Sequence, residues 1–115
     1  MQEAVEAWSK ASSQHPVHAE TLYRLGLAKL NAGDFAGARP ILERARDEDT
    51  LRFRADSGMN EAIRRLAEGI KDDRLHLLDA DRELRGIEPE KPPGADVFLE
   101  HVHLRPEGNY RLARL

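Results

Sequence analysis

An internal offset of 34 residues constrains this chain more than any other feature. Ala4, Trp8, Ala11 and Pro16 are answered by Ala38, Leu42, Ala45 and Thr50. A segment that repeats its small and large apolar residues at such a period is a supersecondary unit that buries its apolar face by stacking on a neighbouring copy. The residues between the copies say what the unit is made of. Leu22, Leu25, Leu27, Ala28 and Leu30 recur at helical spacing and predict a helix over 19–32. Gly33 then suits a left-handed helix terminus and Asp34 a cap for the next helix. That next helix is expected from Phe35 to Arg46, with Phe35, Ala38, Ile41, Leu42 and Ala45 inward and a modest bend at Pro40. Upstream, Ala4, Val5, Trp8 and Ala11 share one face of a helix over 2–14, which Pro16 stops. Trp8 and Phe35 fall at core positions of these helices.

Leu22, Leu25-Gly26, Ala28, Gly33-Asp34-Phe35, Ala38, Leu42 and Ala45 resemble a tetratricopeptide unit. Gly26 and Ala38 are small where two antiparallel helices must approach closely. Lys29, in place of the usual aromatic, and Thr50, in place of the usual proline, depart from the pattern. The resemblance implies about one and a half repeats over residues 1–50, with the chain beginning at the second helix of an earlier repeat.

The second half has a different rhythm. The acidic run Asp47-Glu48-Asp49 marks a boundary, because a helix C-terminus disfavours negative charge. Leu51-Arg52-Phe53-Arg54 reads as a short extended segment. Asp56 or Ser57 then caps a helix over about 58–70, with Met59, Ile63, Leu66, Ala67 and Ile70 on its apolar face and Arg64 and Arg65 on its outer side. Residues 71–74 form a polar connector, and Leu75-His76-Leu77-Leu78-Asp79 reads as a short strand ending in an acid. Helix, turn and strand in that order suit the closing part of a parallel α/β sheet. A short helix from Ala80 to Arg85 stops at Gly86, and residues 87–95, with Pro89, Pro92, Pro93 and Gly94, form a stiff loop. A last helix begins near Pro106 and carries Tyr110, Leu112, Ala113 and Leu115.

The residues with the chemistry of a site lie between that loop and the last helix. Glu100 stands three positions before His103, in Phe98-Leu99-Glu100-His101-Val102-His103. In acyl transfer a carboxylate holds an imidazole in one tautomer while the imidazole takes a proton from a nucleophilic hydroxyl. Glu100 and His103 supply two of those three parts. His101 and His103 are two apart and on an extended segment point the same way, the spacing of a metal pair, but no third ligand accompanies them. Ser57 follows a short extended stretch in Ala55-Asp56-Ser57-Gly58, yet only some forty residues separate it from Glu100, too few to build a sheet that joins them. A helix-capping role suits it better. His15 and His18 flank Pro16 at a helix boundary, and His76 suits solvent or the edge of a core.

A strand ending in Asp79, a proline-rich loop, Glu100-x-x-His103, Gly108 and a closing helix resemble the C-terminal end of SGNH (GDSL-type) hydrolases. The runs 51–60 and 98–113 further resemble a bacterial subgroup that joins such a domain to tetratricopeptide-like helices. The resemblance implies a mostly α chain: a tetratricopeptide-like hairpin over 1–50 and, over 51–115, the C-terminal portion of an SGNH-type α/β domain. It implies His103 as general base and Glu100 as its orienting carboxylate, with Glu where the family usually has Asp. The family's serine block, and the Gly and Asn that donate to the oxyanion, have no counterpart here. The expected function is therefore part of an esterase or O-acyl hydrolase, inactive alone and partnered by the missing N-terminal hydrolase portion. The competing expectation is a tetratricopeptide-like interaction module that holds a peptide or protein at the helix over 19–32.

Charge and composition bound the remaining classes. A net charge of -3 offers no basic field for nucleic acid or an anionic membrane. The absence of cysteine excludes a disulfide framework and a zinc–thiolate centre. No apolar run is long enough to span a bilayer, so a cytoplasmic protein without cofactor or metal is expected. If residues 51–115 come from a larger sheet, Leu75, Leu77 and Leu78 should be left exposed where neighbouring strands would pair.

Overall fold

The computed structural model describes residues 2–86, 91–100 and 102–115. It is mostly helical and divides into two compact units, Met1–Arg52 and Phe53–Leu115.

The first unit is built from α1 (Gln2–Gln14), α2 (Ala19–Asn31) and α3 (Phe35–Asp47). Each boundary has a local cause. The His18 ring Nδ1 accepts from the Thr21 N–H at 3.3 Å and caps α2. Gly33 takes the left-handed conformation, φ 81°, that ends it. The Asp34 carboxylate accepts from the Gly37 N–H at 2.8 Å and starts α3. The helix runs through Pro40, which lies exposed. α2 is the central element, packed on α1 to one side and on α3 to the other. Leu22, Leu25, Ala38 and Ala45 form its core, and Gly26 lets α3 come so close that a Cβ there would overlap Leu42.

Among the described residues α1 packs chiefly on α2, and it buries no residue fully. Trp8 is 36% exposed and Phe35 37%, which corrects the expectation that both lie in a core. Helical periodicity identifies a face, but only a neighbouring element can bury it.

The second unit holds α4 (Ser57–Gly69), α5 (Ala80–Gly86) and α6 (Pro106–Ala113). Asp56 caps α4 by accepting from the Met59 N–H at 2.7 Å. Ser57 is the first helical residue and Asp56 the cap. α4 buries no residue, and Met59, Ile63, Leu66 and Ile70 are all exposed. Residues 75–79 form no strand, and among the described residues the only β pairing is an isolated antiparallel bridge between Phe98 and Leu104. The predicted strand is thus corrected: a strand is completed by a partner, and none pairs with this stretch among the described residues. Leu75, Leu77 and Leu78 are 43%, 45% and 48% exposed. Part of the loop predicted over 87–95, residues 87–90, lies outside the described residues. Among the described residues no helix is long and apolar enough to cross a membrane.

Candidate functional site

The loop that carries Glu100 and His103 is closed by its own backbone. The Val97 and Phe98 N–H groups both donate to the Gly94 carbonyl, at 3.0 and 2.8 Å, and turn the chain. The Leu99 N–H then donates to the His103 carbonyl and the Arg105 N–H to the Val97 carbonyl, each at 2.8 Å. These bonds draw residues 97–105 into a narrow hairpin ending at Pro106, the first residue of α6. Val97 is buried at its base. Gly108 lets α6 approach, since a Cβ there would lie 2.8 Å from the Val97 carbonyl oxygen.

Glu100 sits at the tip and both its carboxylate oxygens are engaged. One accepts from the Val102 N–H at 3.1 Å. The other accepts from the His103 N–H at 3.0 Å and also meets His103 Nδ1. A carboxylate on Nδ1 favours the tautomer that carries its proton there, which leaves Nε2 as the acceptor. The structure therefore brings together the two residues singled out in the sequence. The His103 side chain is 78% exposed and that of Glu100 39%, so the contact lies in a solvated, screened environment. Such an arrangement can orient an imidazole and present Nε2 to a proton donor. Among the described residues it contains no nucleophile and no oxyanion donor. Ser57, at the start of α4, belongs to the helix boundary, and His101 lies outside the described residues, so the paired-histidine metal reading falls there too. Among the described residues no cluster of three or more His, Cys, Asp or Glu could hold a metal ion.

A second constellation was not foreseen from the sequence. Arg64, expected on the outer side of its helix, is only 13% exposed. Its guanidinium grips the Asp79 carboxylate through Nε at 2.6 Å and Nη2 at 3.1 Å, and Nη2 also reaches Asp81 at 2.8 Å. Asp79 accepts in addition from the Arg82 N–H at 3.1 Å, in the first turn of α5. Arg85 holds Asp81 from one turn further on. Hydrogen bonding to Arg64 lowers the Asp79 carboxyl to about 2, and the same bonds raise Arg64. The available signal was Asp79-x-Asp81 directly before a helix, where a capping carboxylate is expected. Its cationic partner lies on the preceding helix, 15 residues back, and had no local marker. No family model, no curated protein and no solved structure matches the chain.

Proposed function

We propose that Glu100 and His103 are the acid–histidine pair of an SGNH-type ester or O-acyl hydrolase, carried on a segment that does not include the serine. The supporting observation is the three-way hold of Glu100: two backbone N–H groups orient its carboxylate, and the carboxylate engages His103 Nδ1. That is the geometry by which a carboxylate sets a general base. In the completed site Nε2 takes the proton of the serine hydroxyl as it attacks the acyl carbon, then returns it to the leaving alcohol. Without the nucleophile and oxyanion donors the pair retains little of that rate enhancement, so residues 1–115 alone are inactive. The exposed Leu75, Leu77 and Leu78 agree with a sheet that is completed elsewhere.

Nitrogen-resolved NMR of the His103 ring tests the reading. In mildly alkaline buffer, the Nδ1–H tautomer is expected to dominate in the native chain and to lose that dominance in Glu100→Gln. A dominant Nε2–H tautomer in the native chain overturns the assignment. Turnover of a short-chain ester that disappears in His103→Ala would overturn the statement that the pair is insufficient alone.

A second reading rests on the first unit. The close approach of α2 and α3 through Gly26, with Ala38 fully buried, agrees with a tetratricopeptide-like hairpin, and the exposed Tyr23 of α2 offers an aromatic contact for a peptide or protein partner. On this reading the chain is an interaction module without catalysis. A defined peptide whose binding survives His103→Ala and is lost in Tyr23→Ala would favour it.

A further inference from the structure

No further inference is drawn: the strongest candidate, the apolar face of α4 formed by Met59, Ile63, Leu66 and Ile70, is exposed along its length, and nothing in the structure shows what covers it.

Discussion

Arg64 and Asp79, fifteen residues apart, meet through two parallel N–H···O bonds at 2.6 and 3.1 Å. This fork ties α4 to the start of α5, and α4 has no buried side chain of its own to hold it. A helix of 13 residues is marginal in isolation, so such a tie carries more weight than an ordinary surface pair.

Replacing Arg64 by Gln should therefore lower the thermal midpoint of the chain. The loss should exceed that of Arg74→Gln, whose pair with Asp72 has side chains 90% and 38% exposed. Exposed pairs contribute little, whereas removing Arg64 takes away the least exposed cation of the cluster and leaves the half-buried Asp79 and Asp81 with only Arg82 and Arg85. Circular dichroism melts of the two variants decide the point, and equal shifts would contradict it.

Acid should act on the same fork. Asp79 titrates at about 2 when folded, against an ordinary 3.8, because Arg64 holds its charged form. The unfolded chain binds this proton more readily than the folded one. The stabilisation is thus complete above about pH 4 and disappears as the pH falls towards 2. Asp79→Asn should flatten that part of the stability–pH curve in denaturant titrations. A slope identical to that of the native chain would place the acid response on other carboxylates.

Two glycine-to-alanine substitutions should have opposite signs. At Gly26 a methyl overlaps Leu42, so α2 and α3 must separate or Leu42 must turn, at a cost of about 1–3 kcal/mol that the gain in helix propensity only partly offsets. At Gly69, in the last turn of α4, the added Cβ meets nothing within 4 Å, and reduced chain entropy should stabilise by up to ~1 kcal/mol. Urea titrations of both variants measure the difference. A neutral Gly26→Ala would show that the helices are not in close contact there.

Gly108→Ala probes the support of the candidate site. Its methyl would lie 2.8 Å from the Val97 carbonyl, the group that accepts from Arg105 and closes the hairpin. Strain of about 1–3 kcal/mol should open the hairpin before it unfolds α6. The Val102 and His103 amides, which donate to Glu100, should then lose protection from hydrogen exchange. Unchanged exchange at both positions would mean that α6 does not position the pair.

The helices of the first unit were legible almost to the residue, and the reason is local. Asp34 caps through Gly37, Gly33 supplies the left-handed turn, and the apolar spacing of α2 selects its buried face, all within one or two turns of chain. Glu100 and His103 were legible for the same reason, since their contact spans three residues. Tertiary structure alone decided what depends on distant partners. Trp8 on α1 and Phe35 on α3 carry core chemistry but are over a third exposed, because burial depends on which neighbouring elements cover them. Leu75 to Asp79 has the composition of a strand, yet a strand's hydrogen bonds run to another segment and none pairs with it among the described residues. Arg64 looked like a solvated cation until folding set it against carboxylates 15 and 17 residues ahead. Helical hydrogen bonds and caps close within a few residues, so sequence determined them. Burial, strand pairing and the Arg64 fork require segments that only the folded chain brings together.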